Sequence, residues 1–362
     1  MDADTITATR QLEFLQKVQR LLESGRFTST YKFALLIALT NVAVEKGDDS
    51  AREFEVDLDD VAREFISLYW SHARPYKPVG EVLAQNRERL KSAKVLSLLA
   101  GEVGISKGSH SRSRVIAGKR ARLVGDVREL IVRYPLECLQ NLESISDKRY
   151  GRDQFLYSIG EVGSTSASLQ FITLKPGVAA CLRSLRGVVV ALVQARWAQW
   201  VRERNPKLGK DRGLEEFMFG GERGFVADLA PRLYALQDRR CFYTGGKLDG
   251  PKSGEVDHFI AWSRYASDDP LNLVLASKSA NNSKHDHLAS TRHLREWINR
   301  NARFASDLET MTHDRAEVGS AQSARAIACW AYGCVAAVGS PVWDAPKKFV
   351  QLDRSWKSLL AG

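Results

Sequence analysis

The residues that could do chemistry gather in one stretch of the chain. They read Cys241-Phe-Tyr-Thr-Gly-Gly, then Glu255-Val-Asp-His-Phe-Ile, then Asn272-Leu-Val-Leu, then Asn281-Asn-Ser-Lys-His. Asp257 and His258 set a carboxylate beside an imidazole. That pairs a hard oxygen ligand with a group that accepts a proton near neutral pH. Val256 to Ile260 reads as a short strand. Strand neighbours point to opposite faces, but at a strand end both can reach one site. Trp262 to Leu271, rich in Ser, Asp and Pro, reads as a loop, and Asn272 to Leu275 as a second strand. Ser279 to Leu288 reads as helical, with Asn281, Lys284 and His285 close to one face by three-four spacing. Polar groups of the first strand and of the helix can therefore converge.

The order Asp-His, Asn-Leu, Asn with Lys three positions on resembles the HNH nuclease family, whose core is the ββα-metal fold. The separations are 14 residues from His258 to Asn272 and 9 from Asn272 to Asn281, over about 50 of the 362 residues. The resemblance implies a catalytic set of His258, Asp257, Asn272 and Asn281. His258 would be the general base toward water. Asp257 and Asn281 would hold one Mg²⁺ or Mn²⁺ per active site, with His285 a further metal ligand. Asn272 would brace the loop that orients His258, and Lys284 would make a phosphate or structural contact. Many relatives hold zinc with two CxxC pairs; here Cys241 faces Thr244 at its partner position, and Ser277 and Ala280 stand at the second pair. One thiolate cannot complete a tetrahedral site, so no structural zinc is expected. Packing by Phe242, Tyr243, Phe259, Ile260, Trp262, Leu273 and Leu275 would take its place.

Composition bears on partners. There are 53 Lys+Arg against 43 Asp+Glu, a formal +10, which draws a protein toward nucleic acid or anionic surfaces. The segment from Gly101 to Arg212 holds 20 Lys+Arg and 10 Asp+Glu and accounts for the whole excess. Its densest part, Lys107, Arg112, Arg114, Lys119, Arg120 and Arg122, suits phosphate contacts to double-stranded DNA. The longest apolar run, Ala326 to Val338, falls short of the ~20 residues of a spanning helix, so no membrane partner is expected. Met1 to Gln11 carries no apolar core of a secretory signal, and five scattered cysteines suit reduced thiols. Both point to a cytoplasmic protein.

Helical patterns precede and follow the core, so the fold class is mainly α with α+β parts, the ββα core embedded between larger helical regions. Thr9 to Ser24 is amphipathic through Leu12, Leu15, Val18 and Leu22. Lys32 to Lys46, a short strand at Glu53 to Val56, and a helix from Asp57 to Trp70 suit either a helix-turn-helix module or a generic bundle. Tyr69, Trp70, His72, Arg74 and Tyr76 could clamp nucleic acid or finish a half-buried helix. One long helix is expected from Gly177 to Glu203, basic on one face through Arg183, Arg186, Arg196 and Arg202, with Arg204 beyond. Asn205 to Gly213 reads as a linker. The segments expected are 1–105, helical, with a helix-turn-helix-like or bundle pattern; 106–213, basic and DNA-binding; 214–290, the nuclease; and 291–362, helical. The resulting expectation is a metal-dependent DNA endonuclease of restriction or anti-phage defence type, a homodimer or the mate of a defence subunit. The alternative is a DNA-binding or regulatory protein with a vestigial or partner-activated core.

Overall fold

The computed structural model describes residues 6–24, 27–87, 93–104, 117–140, 154–158, 169–221, 223–311 and 320–361. Lys107, Arg112 and Arg114 of the basic cluster lie outside them. The chain separates into two compact units, Met1–Phe219 and Gly220–Gly362.

The first unit is built on a helix without a polar side. Helix α2 (Tyr31–Lys46) buries 13 of its 16 residues, as an apolar sequence on every face demands. Helix α1 (Ala8–Ser24) turns Phe14, Val18, Leu21 and Leu22 inward; Leu12, expected on that face, is exposed. Strand β1 (Phe54–Asp57) leads directly into α3 (Leu58–Trp70), and Asp57 caps that helix by accepting from Asp59 N at 2.8 Å. Helices α4 (Lys94–Gly104) and α5 (Ala117–Ile131) follow. The latter runs into a widened turn at Val132–Leu136, where Pro135 has no N–H for the helical ladder. Strands β2 (Tyr157–Ser158) and β3 (Phe171–Leu174) complete an antiparallel sheet of order β1-β3-β2, with Val56 opposite Ile172 and Tyr157 opposite Leu174.

One feature differs from the sequence reading. The expected single helix at 177–203 is two, α6 (Val178–Ser184) and α7 (Arg186–Arg204), set at 80°. Ser184 Oγ donates back to Ala180 O at 2.8 Å, a contact that bends helices. The bend turns Arg183 and Arg186 inward. Arg183 donates to Ala43 O and Val44 O, satisfying the end of α2, and Arg186 reaches Asn41 Oδ1 at 3.1 Å. Arg202 pairs with Glu215 at 2.9 Å, next to α8 (Leu214–Phe219), and Arg204 lies 3.5 Å over the Trp200 ring. The expected basic face is thus largely spent on internal contacts.

Of the two readings left open for the helices up to Trp70, the packing is that of a bundle. Helix α3, which would have to enter a groove, packs on both α2 and α5. Its Asp59 pairs with Arg128 and its Asp60 with Arg63, so it offers no basic reading face. Tyr69, His72 and Tyr76 are core residues rather than a clamp. Tyr69 and His72 pack on Trp197, Tyr76 packs on Phe217, and all three are at least 95% buried. No single described helix is long and apolar enough to cross a membrane.

The second unit opens with α9 (Arg223–Asp228) and α10 (Ala230–Leu236). Strands β4 (Gly254–His258) and β5 (Leu273–Ser277) pair antiparallel, Asp257 opposite Val274 and His258 opposite Leu273. Helix α11 (Lys278–Lys284) follows β5 at once, because Ser277 Oγ accepts from Ala280 N at 3.3 Å and caps it. Helices α12 (Thr291–Arg303), α13 (Ala305–Thr310) and α14 (Ala321–Val338), the hairpin β6 (Val342–Ala345) and β7 (Lys348–Val350), and α15 (Ser355–Ala361) complete the unit. This C-terminal part is continuous with the ββα core. Trp343 exchanges backbone hydrogen bonds with Leu288 and Ser290, and its indole donates to Ser283 of α11 at 3.0 Å.

Candidate active site

The period of β4 decides which groups meet. Glu255 and Asp257 point toward α11, while His258 points away from it. Asp257 is buried, and its Oδ2 takes the Tyr243 hydroxyl at 2.5 Å and Lys284 Nζ at 2.9 Å. Burial, then the Asp257 charge, push the Tyr243 phenol well above its ordinary value and keep it a donor. Asn281 donates its side-chain NH₂ to Glu255 at 2.9 Å. Glu255, Asp257 and Asn281 thus lie along one strand-helix seam.

Of the two contacts open to Lys284, the structural one is found: its side chain is 0% exposed, and its ammonium also donates to His258 O at 3.0 Å, so it is not placed to touch phosphate. One expectation is corrected. His285 is not part of the seam. It ends α11 with a left-handed φ of 52°, its side chain is 77% exposed, and it bonds Asp286 at 2.9 Å. That left-handed turn rotates residue 285 off the helical face that the spacing assumed.

On the other face, His258 Nε2 meets Asp268 Oδ1 at 2.9 Å. Asp268 is 5% exposed and the His258 side chain 19%, so the carboxylate sits behind an imidazole that reaches the surface. The Trp262 ring stands 5.3 Å from the imidazole at 64°. Asp268 had no distinguishing mark in the sequence beyond its place in Ser267-Asp-Asp-Pro, a turn-forming run.

Asn272 clamps the loop between the strands. Its amide accepts from Ile260 N at 2.8 Å and donates to Ile260 O at 3.0 Å, while its own carbonyl accepts from Phe259 N. A second clamp comes from α12. Trp297 Nε1, Arg300 Nη2 and Asn301 Nδ2 all donate to Leu271 O, and Arg300 Nη1 to Leu273 O. Phe259 stacks on Trp297 at 4.9 Å and 7°. The sequence reading packed this core from its own aromatics and missed the contribution of α12.

The positions of the absent cysteine pairs still meet. Ser277 N donates to Cys241 Sγ at 3.2 Å, and Ser277 Oγ lies 3.6 Å from it. Burial pushes the Cys241 thiol up, but hydrogen bonds with Thr244 and Ser277 outweigh it and hold the thiol below its usual value. Hydrogen bonding joins the two turns that cysteine pairs would join through a metal.

For a divalent ion, the seam offers two carboxylates and an amide oxygen, the hard donor set that Mg²⁺ or Mn²⁺ takes. Asp257 Oδ1 and Asn281 Oδ1 make no hydrogen bond to the described residues. The donor chemistry fits, although the described residues contain no group of three or more His, Cys, Asp or Glu able to hold an ion.

Residues 241–290 match the family model for HNH endonuclease, a likeness over about 50 residues that points to nucleic-acid binding and nuclease chemistry in this stretch. Residues 10–213 match the model for a domain of unknown function, DUF8808; that is more than half of the 362 residues, and the chain belongs to this family. No curated protein and no solved structure matches the chain.

Proposed function

We propose that the protein is a metal-dependent endonuclease that hydrolyses DNA phosphodiester bonds, with His258 as general base. One observation carries the reading: the partly exposed His258 imidazole ends β4 on a ββα frame whose seam holds Glu255, Asp257 and Asn281. His258 would take the proton of the attacking water. Asn272 would hold residues 259 and 260, and so the end of the strand that carries His258, against the loop. Asp257 and Asn281, with Glu255 beside them, would hold the ion. When bound, a divalent ion supplies charge neutralisation at the scissile phosphate. Exposed Arg122 on α5, with Lys119 and Arg120 on the same helix, would add non-specific phosphate contacts. A role in restriction or anti-phage defence in the cytoplasm, as a homodimer or with a partner subunit, is proposed by analogy.

A second reading has its own support. Lys284 neutralises Asp257, and Asn281 is engaged by Glu255, as in a core that is vestigial or waits for a partner. A supercoiled-plasmid assay with Mg²⁺ or Mn²⁺ separates the two. Nicking or linearisation that needs metal and drops by about 10²-fold or more in His258→Ala supports the nuclease. DNA binding without cleavage supports the second reading.

A further inference from the structure

We infer that Asp268 is the positioning residue of His258: its buried carboxylate holds the imidazole as the Nε2–H tautomer and leaves Nδ1 as the atom that accepts the proton. The inference rests on the reading of His258 as general base, and it assigns which nitrogen works and what sets it. An ionised carboxylate only accepts hydrogen bonds, so the nitrogen 2.9 Å from Asp268 Oδ1 must carry the hydrogen. The remaining lone pair is then on Nδ1.

Three features show that the pair is built rather than incidental. Asp268 is 5% exposed, unlike a surface ion pair, whose geometry is loose. Its backbone is fixed by the next residue. Asp269 accepts from Leu271 N at 2.9 Å through its side chain and from Asn272 N at 2.8 Å through its carbonyl. Asn272 in turn bonds Ile260, two residues beyond His258, so base and orienter hang from one clamp. Finally, the backbone of Gly221 closes on the pair. A Cβ built there would stand 3.2 Å from the Trp262 ring and 3.3 Å from Asp268 Oδ1, tight enough to need both to give.

The step balances. Water oxygen bonds to phosphorus, its proton passes to His258 Nδ1, the P–O3′ bond breaks, and the 3′ oxygen takes a proton from solvent. Asp268 exchanges no proton; it steadies the imidazolium that forms.

The test uses the full-length protein, Asp268→Asn, and plasmid cleavage with Mg²⁺. We expect kcat to fall about 10²–10⁴-fold with KM within about threefold, the signature of an interaction made in the transition state. Asp268→Asn added to His258→Ala should cost nothing further, because the two act as a unit. A spectroscopic arm needs no activity: ¹⁵N shifts of His258 in the metal-free protein, assigned by difference with His258→Ala among seven histidines. They should show the Nε2–H tautomer in wild type and a mixture in Asp268→Asn. Gly221→Ala, which presses on Asp268, should shift the same signals partway. An unchanged tautomer in Asp268→Asn, kcat within twofold of wild type, or a further loss on the His258→Ala background would overturn the inference while leaving the nuclease intact. If the wild type does not cleave, the nuclease reading falls, and the tautomer result alone decides whether Asp268 sets the imidazole. Undiminished cleavage by His258→Ala removes the base and this role with it.

Discussion

The two compact units treat their charged side chains in opposite ways. In Met1–Phe219, a segment rich in arginine turns its guanidinium groups inward: Arg183 ends α2, Arg186 holds Asn41, and Arg128 ties α5 to α3. In Gly220–Gly362, Lys284 and Arg300 are also buried, but an acid and a base are set back to back so that His258 still reaches solvent. A count of positive charge therefore says little about a binding surface. A short motif with a defined spacing says much more about chemistry. The acid behind His258 is buried while the imidazole it meets stays partly exposed.

The contrast can be broken or sharpened by experiment. The largest effect is expected from Lys284→Met, which leaves Asp257 buried without its cation and should cost about 3–5 kcal/mol in urea unfolding. Adding Asp257→Leu should restore most of it; if it does not, Lys284 matters through packing and not charge.

Acid should weaken both units, through groups that titrate at different pH. Burial pulls His72 down to about 4 from 6.5, so the unfolded chain binds more protons between those values. The stability of the first unit should fall as pH drops from 6.5 to 4, by up to about 3 kcal/mol. In the second unit Asp344 is held down to about 2 from 3.8, chiefly by Lys348 and then Ser290. Its contribution is present above pH 3.8 and is lost only as pH falls through 2. Burial also lowers His293, which stacks on Trp343 and hydrogen-bonds Asp344 O, so the second unit begins to weaken below pH 6.5 as well. Hydrogen exchange read by mass spectrometry should show α2 and α7 losing protection as pH falls from 6.5 to 4, and β6 losing a further share only below pH 3.8. Unchanged protection of α2 and α7 over the first range would mean that burial does not hold His72 neutral.

Asn272→Ala removes two hydrogen bonds to Ile260 and is expected to cost about 2 kcal/mol, together with a fall in cleavage. A cleavage loss without a stability loss would place Asn272 in contact with substrate instead. The smallest effect belongs to Arg122→Ala. Stability should stay within about 0.5 kcal/mol, while the salt dependence of DNA binding, measured by fluorescence anisotropy, should lose a slope of about 1. An unchanged slope would take α5 out of the DNA surface.

Much of the second unit's framework was legible. The strand at Val256, the second strand at Leu273 and a helix from Ser279 were legible from neighbours in sequence, although that helix starts at Lys278 and ends at Lys284, short of the expected Leu288. The continuous apolar run of α2 likewise announced a core helix. Less legible was the bend at Leu185, where one serine hydroxyl and two inward arginines overrule an unbroken helical pattern. Tyr69 and His72 show the same limit from the other side, since an aromatic and basic composition suits both a clamp and a core.

By itself, the sequence determined the order and spacing of Asp257, His258, Asn272 and Asn281 and the strand-loop-strand-helix that carries them. Those depend on local periodicity and turn chemistry, which each segment encodes alone. Only the tertiary structure decided that Lys284 faces Asp257, that Asp268 stands behind His258, that Trp297 and Arg300 brace the loop from a later helix, and that Arg183 caps a helix 139 residues away. A charged side chain takes whichever partner long-range packing leaves within reach, because a buried charge must be paired, and no local pattern says which partner that will be.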